Sequence, residues 1–192
     1  RQWISSVMSI VLICGPVRSG KSRLAEGLAA ASGLPVIYLA TGPKPDPKTD
    51  PEWAERVQQH RQRRPSSWQT WETGRDLGAE LQKLPQPCCA LVDSLGGWVA
   101  QGLDCPSSEW DPLVQSFLAT LQSHRGEILL VSEEVGWGVV PAYPLGRRFR
   151  DRMGELTQRL APLADQVFLV TAGFALDLTR LGIPVASKTE QS

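Results

Sequence analysis

The stretch Ile10-Val11-Leu12-Ile13-Cys14, running directly into Gly15-Pro16-Val17-Arg18-Ser19-Gly20-Lys21-Ser22, decides the fold. Five apolar residues rich in β-branching lead into G-x-x-x-x-G-K-S, and residues 22–31 continue with apolar positions at helical spacing. A strand, a glycine-containing turn and a helix, in that order, give this pattern its mechanism. The glycines let successive backbone N–H groups curl around phosphate oxygens, and the helix starting near Gly20 turns its positive dipole end toward them. Lys21 adds a catalytic point charge near the β and γ phosphates, and Ser22 is placed to hold Mg²⁺. The whole loop, Gly15, Pro16, Val17, Arg18, Ser19, Gly20, Lys21 and Ser22, is therefore a candidate nucleotide-binding element.

Outward from this loop, short apolar runs recur at 36–40, 88–93, 128–132 and 167–171. Helical spacing marks 75–84 and 112–124, and a late helix is drawn by Leu145, Phe149, Met153, Leu156, Leu160 and Leu163. The alternation predicts an α/β protein: a mostly parallel central sheet of five buried strands flanked by helices, the three-layer P-loop NTPase fold. With 192 residues the chain reads as one nucleotide-binding domain, 1–192, with 1–7 a lead before the first strand and 184–192 a tail.

Composition narrows the function classes. Twenty Lys plus Arg balance 20 Asp plus Glu, so no overall charge draws the chain to nucleic acid. The longest aliphatic run, 10–14, is far shorter than the roughly 20 residues a bilayer-crossing helix needs, so membrane insertion is not expected. Cys14, Cys88, Cys89 and Cys105 lack C-x-x-C spacing and signal neither zinc nor a disulfide framework, which fits a reducing cytoplasm. The chain contains no Asn, so the N-K-x-D guanine-reading motif of regulatory GTPases is excluded.

Two further segments carry chemistry. Residues 41–51 hold Pro43, Pro45, Pro47 and Pro51, too many for a helix or inner strand, and are expected to form a loop over the strand ends. Asp50 then reads as an N-cap and Pro51 as the first position of a helix closed by Pro65. On that helix Arg56, His60 and Arg63 or Arg64 are spaced by three or four residues and share a face. Guanidiniums beside an imidazole disfavour its protonation and suit polyphosphate oxyanions, so His60 is a candidate nucleophile; a solvated basic face is the plain alternative. Asp93 ends an apolar run and is the expected Mg²⁺ ligand on a strand neighbouring the phosphate-loop strand; the alternative is a helix N-cap. Glu133 and Glu134 are a rival acidic pair for substrate or metal.

The phosphate loop, V-I-Y-L-A-T at 36–41, R-V-Q-Q-H-R-Q-R-R-P-S-S-W-Q-T-W-E at 56–72, the Asp93 run, E-V-G-W-G-V-V-P at 134–141 and R-R-F-R-D at 147–151, continuing into 158–170, occur in order along the chain. Together they resemble the bifunctional adenosylcobinamide kinase / adenosylcobinamide-phosphate guanylyltransferase family of cobalamin biosynthesis. The resemblance implies NTP-dependent phosphorylation of the aminopropanol hydroxyl of adenosylcobinamide, then transfer of GMP from GTP onto that phosphate through a guanylylated histidine, here His60. ATP and GTP are the implied substrates, with Mg²⁺ as cofactor. Ala40, Thr41, Gly42, Arg61, Gln62, Arg63, Arg64, Glu72 and Asp93 are the further nucleotide-site residues it implies, Glu72 as a reader of guanine N–H groups. It implies a homotrimer as well, for which Trp53, Trp98 and Trp137 offer interface or corrin-stacking surface if they are not core. The chain departs from the family pattern at Glu133 and Thr157, where Asn is usual, which bears on corrinoid contacts.

Two other readings stay open on the residues alone. One is a small-molecule P-loop kinase in which His60 is incidental. The other is a nucleotide-gated binding module whose occupancy orders residues 41–64 for a protein partner.

Overall fold

The computed structural model describes residues 8–185, so the expected lead 1–7 and most of the expected tail lie outside the described residues. The first half runs β1 (Met8–Gly15), α1 (Lys21–Ala31), β2 (Val36–Ala40), α2 (Pro51–Arg63), β3 (Gln69–Glu72), α3 (Leu77–Gln82) and β4 (Cys88–Asp93). There follow α4 (Leu95–Gln101), α5 (Ser107–Ser123), β5 (Gly126–Glu133), α6 (Pro144–Leu160), β6 (Gln166–Thr171), β7 (Phe174–Asp177) and α7 (Leu178–Leu181). The strands form one sheet in the order β3-β2-β4-β5-β1-β6-β7, in which only the β6–β7 pair is antiparallel.

The inner strands are continuously apolar because both faces of the sheet are covered. Ile10, Leu12, Ile37, Leu39, Ala90, Val92, Ile128 and Leu130 face a core shared with α3, α4, α5 and α6. The alternate positions Val11, Ile13, Tyr38, Leu91, Leu129 and Val131 face the second core with Ala25 and Ala29 of α1. The three-layer P-loop fold expected from the sequence is the one observed. Trp98 belongs to the first core: it is fully buried, stacks at 4.9 Å from the rings of both Trp110 and Phe117, and donates from Nε1 to the Arg75 carbonyl at 2.7 Å. It offers no exposed surface, whereas Trp137 stands 64% exposed and Trp53 is half-buried.

The five expected buried strands are present, and among the described residues the sheet gains two more, β3 and β7, which lie at its edges and are largely exposed. Two expectations are corrected. The expected helix at 112–124 begins earlier, at Ser107, and carries Pro112 inside, while that at 75–84 is confined to α3. The strand ending in Asp93 is not hydrogen-bonded to the phosphate-loop strand; β5 stands between them. The register still gathers the site into one row at the carboxyl ends: Gly15 lies opposite Glu133, Val131 opposite Asp93, Asp93 opposite Ala40, and Ala40 opposite Glu72. Ligands of open α/β sheets bind outside this edge.

Candidate active site

The phosphate loop closes β1 onto α1 through glycine geometry. Gly15 passes under β6 so closely that a Cβ there would stand 2.4 Å from the Val170 carbonyl oxygen. Gly20, the N-cap of α1, has φ +104, a conformation that L side chains rarely adopt. Lys21 is buried and its Nζ donates to the Pro16 carbonyl at 3.2 Å, holding the ammonium across the mouth of the loop. Ser22 follows in the first turn of α1, so a hydroxyl and an ammonium meet at the positive end of an 11-residue helix.

The helix α2 forms as the sequence indicates. Asp50 caps it by accepting the Trp53 N–H at 2.9 Å, and Pro51 occupies the first helical position. No α2 residue is buried, and the helix stands over the carboxyl edge rather than packing into a core. Its ties are local: Trp53 Nε1 donates to the Pro43 carbonyl at 3.0 Å, Arg61 pairs with Glu72 at 3.7 Å, and Arg63 reaches Glu26 of α1 at 3.5 Å. Trp53 also explains Gly42, where a Cβ would stand 2.6 Å from the indole ring.

A cleft separates α2 from the phosphate loop, and it has two lobes. One lobe, of about 350 Å³, is lined by Tyr38, Ala40, Gly42, Trp53, Arg64, Glu72 and Asp93 among others. The other, of about 500 Å³, is polar and runs along Arg18, Ser19, Gly20, Arg23, Gln59 and Arg63. Lys21, Ser22, Arg56 and His60 line both, so the imidazole sits where the lobes meet.

The electrostatics favour a neutral ring. Burial, reinforced by Arg63, Arg64 and Arg56, holds the His60 pKa below the ordinary 6.5 against the opposing pull of Asp93. Arg64 turns inward and stacks over the Tyr38 ring at 3.2 Å, with a buried Nε that finds no hydrogen-bond partner among the described residues. Asp93 Oδ2 is likewise buried without a donor. A desolvated carboxylate oxygen that lacks a donor fits a cation, and Ser22 lines the same lobe, so this pair suits Mg²⁺ completed by phosphate oxygens and water.

Not every expected residue reaches the cleft. Gly15 and Pro16 shape the loop from behind. Thr41 is fully buried, its hydroxyl engaged with the Ser94 backbone, including a 3.0 Å bond from the Ser94 N–H, so it holds the strand ends and does not line a lobe. Gln62 is exposed and lines neither lobe. Glu133 accepts from the Ser94 hydroxyl and, at 2.9 Å, from the Gly96 N–H, which fixes it at the start of α4 although it borders the cleft. Glu134 accepts from Gly136 N–H at 2.9 Å. The helix after Asp93 is capped by Ser94, leaving the aspartate unengaged by that role. Two arginines of R-R-F-R-D bind backbone: Arg147 donates to the Pro141 and Ala142 carbonyls at 2.9 and 2.8 Å, and Arg148 to that of Leu103 at 2.9 Å, while Arg150 pairs with the adjacent Asp151 at 3.6 Å.

Several residues in or beside the cleft carried no expectation from sequence, among them Glu26, Tyr38, Lys44, Val57, Arg23 and Gln59. Glu26 was within reach of pattern reasoning, since it stands one turn after Ser22 on the same face of α1. Lys44 pairs with Glu72 at 3.0 Å across the lobe, a contact that only the fold brings about.

Fold and site together define a phosphate-loop nucleotide-binding protein. Residues 11–178 match the family model described as cobinamide kinase / cobinamide phosphate guanyltransferase. Over 169 residues the chain is 41% identical to the bifunctional adenosylcobalamin biosynthesis protein CobP of Pseudomonas aeruginosa, covering 87% of this chain and 95% of that one. It is 34% identical over 184 residues to the corresponding protein CobU of Escherichia coli K12, covering 88% and 99%. A solved Pyrococcus horikoshii OT3 structure, PH0250, shares the fold at TM-score 0.56 with 9% identity, covering 96% of this chain and 94% of that one. The chain belongs to the cobinamide kinase / cobinamide phosphate guanyltransferase family.

Proposed function

We propose that the chain phosphorylates adenosylcobinamide with ATP or GTP. It then transfers GMP from GTP to the new phosphate through a guanylylated His60, releasing pyrophosphate and adenosylcobinamide-GDP. The observation that carries this reading is the position of His60, which lines both lobes of the cleft together with Lys21 and Ser22. A nucleophile beside a phosphate loop has no part in a plain γ-phosphoryl transfer, but it is what a two-step nucleotidyl transfer needs.

In the first reaction the phosphate loop holds the triphosphate and the acceptor hydroxyl attacks the γ-phosphorus. Lys21 and the loop N–H groups meet the charge that develops as the bond to the β-phosphate breaks. Mg²⁺ held by Ser22 and Asp93 would neutralise charge on the β and γ oxygens. In the second, the neutral ring of His60 donates a lone pair to the α-phosphorus of GTP and pyrophosphate leaves with the bonding electrons. Arg56 of α2 and Arg64, the residue after that helix, line the same lobe and would neutralise charge on the leaving group. The cobinamide phosphate then attacks the same phosphorus and the imidazole departs. We place the reaction in the cytoplasm, the reducing compartment that the cysteine pattern fits. Among the described residues no helix is long and apolar enough to cross a membrane.

The test is product analysis with adenosylcobinamide, ATP, GTP and Mg²⁺. Cobinamide phosphate is expected first, then the GDP derivative with stoichiometric pyrophosphate. Lys21→Ala is expected to slow the first product by about 100-fold or more, the usual scale for removing one preorganised charge donor. Phosphate without the GDP derivative would favour the plain kinase, and nucleotide hydrolysis with neither product the gated module.

A further inference from the structure

Behind His60 lies an acidic residue that lines neither lobe. Glu26 of α1 has a side chain only 14% exposed, and its Oε1 stands 4.0 Å from His60 Nδ1. Arg63 bridges the two, with Nη2 at 3.3 Å from Nδ1 and 3.5 Å from Glu26 Oε1. A guanidinium only donates. While Arg63 points at Nδ1, that nitrogen is the acceptor, the ring proton sits on Nε2, and Nε2 has no lone pair for phosphorus. The present arrangement is a resting one. Its rearrangement is small, because Arg63 also lines the polar lobe beside Arg18, Ser19 and Gly20, where polyphosphate oxygens would draw it.

We propose that Glu26 is the positioning residue for His60: once Arg63 turns to the triphosphate, the ring releases its Nε2 proton to solvent and takes one from solvent at Nδ1, where the Glu26 carboxylate accepts the Nδ1–H hydrogen bond and leaves the Nε2 lone pair free for attack. This inference rests on the guanylyl-histidine reading. The step balances without another reactant. Nε2 forms the N–P bond to the α-phosphorus, the P–O bond to the β-phosphate breaks, and pyrophosphate leaves with the electron pair. The positive charge that the ring acquires stays on an imidazolium whose Nδ1–H is hydrogen-bonded to the carboxylate, the role an aspartate plays behind a catalytic histidine in hydrolases. Glu26 thereby fixes the tautomer and the ring plane. Burial raises its own pKa against the pull of Arg63, as expected of a carboxylate kept away from water. The charged groups facing the ring are Arg56, Arg63 and Arg64 from α2 and the residue after it, Asp93 from β4 and Glu26 from α1. Glu26 brings a carboxylate oxygen to 4.0 Å from Nδ1.

The test uses α-labelled GTP and Mg²⁺ with the full chain in single turnovers, comparing wild type, Glu26→Gln and Glu26→Asp across GTP concentrations. Gln keeps the shape and loses the charge; Asp keeps the charge on a shorter arm. Glu26→Gln is expected to lower the rate of protein labelling at saturating GTP by about 10- to 100-fold, the scale on which partners that orient a functional histidine act. The half-saturating GTP concentration is expected to stay in place, and Glu26→Asp to retain most of the rate. Wild-type labelling in Glu26→Gln would overturn the proposal, as would equal losses in Gln and Asp or a loss confined to GTP affinity. Absence of label on wild type would overturn the histidine reading itself and this inference with it, so the two failures are told apart.

Discussion

A ring nitrogen attacks phosphorus only while it keeps a free lone pair, so the charge state of His60 sets the acid limit of nucleotide transfer. Burial and three guanidiniums lower its pKa from 6.5, which means the ring stays neutral as pH falls through that value and is lost as a nucleophile only below its own, lower pKa. The labelling rate measured against pH is therefore expected to hold through pH 6.5 and to fall at more acid values; an acid midpoint above 6.5 would contradict the electrostatics drawn here. At this scale the sequence was informative where a residue's chemistry is set by near neighbours. Lys21 and Ser22 follow from the loop pattern, and His60 from its spacing to the arginines. The division of labour among those arginines was not legible. Arg61 pairs with Glu72 of β3, Arg63 with Glu26 of α1, and Arg64 stacks on Tyr38 of β2, and each choice depends on which element the fold sets beside it.

Among the elements, α2 carries the proposed nucleophile yet contributes nothing buried, so its stability rests on its cap and a few surface ties. Amide exchange in α2 is expected to be much faster than in α1, whose Ala25 and Ala29 are buried against the sheet. Asp50→Ala removes the bond to Trp53 N–H and is expected to cost the helix about 1 kcal/mol. It should speed exchange in residues 51–63 and slow His60 labelling while leaving the melting temperature nearly unchanged; a clear drop in the global transition would show that α2 is part of the cooperative core. The cap, the proline at the first turn and the closing Pro65 made this helix readable to within a residue. The edge strands β3 and β7 were not readable because their residues face water and leave no apolar periodicity. Gly97 is a further element-scale constraint: a Cβ there would stand 2.5 Å from Thr41 Oγ1 and 3.0 Å from Gly42 N, so α4 packs against the strand ends with backbone. Gly97→Ala is expected to destabilise the protein by about 1–3 kcal/mol, the range for overpacking, as read from a denaturant titration.

For the whole molecule, what matters is that the connections run in opposite senses about β1: α1 carries the chain from β1 to the β2 side, and later α6 carries it from β5 past β1 to β6 on the other. The crevice at that switch is where the phosphate loop, Asp93 and α2 converge. An α/β sheet was legible from alternating apolar runs, but its strand order was not, since insertion of β5 between β1 and β4 is a long-range choice that no local pattern encodes. The homotrimer implied by the family resemblance belongs to this scale. Phe174 and Leu181 stand 75% and 72% exposed at the β7 edge of the sheet, apolar area that an assembly would cover. Light scattering is expected to give three times the chain mass and Phe174→Glu to lower it; the mass of a single chain for the wild type would contradict the trimer. The central claim is that one cleft serves both phosphoryl transfer and a covalent nucleotide intermediate on His60. It is tested most directly by incubating wild type and His60→Ala with Mg²⁺ and GTP labelled at the α-phosphate, then separating the denatured proteins. The account predicts an acid-labile, alkali-stable label on wild type that the variant lacks. Folded, GTP-binding wild type that takes up no label, or a variant that labels equally, would contradict it.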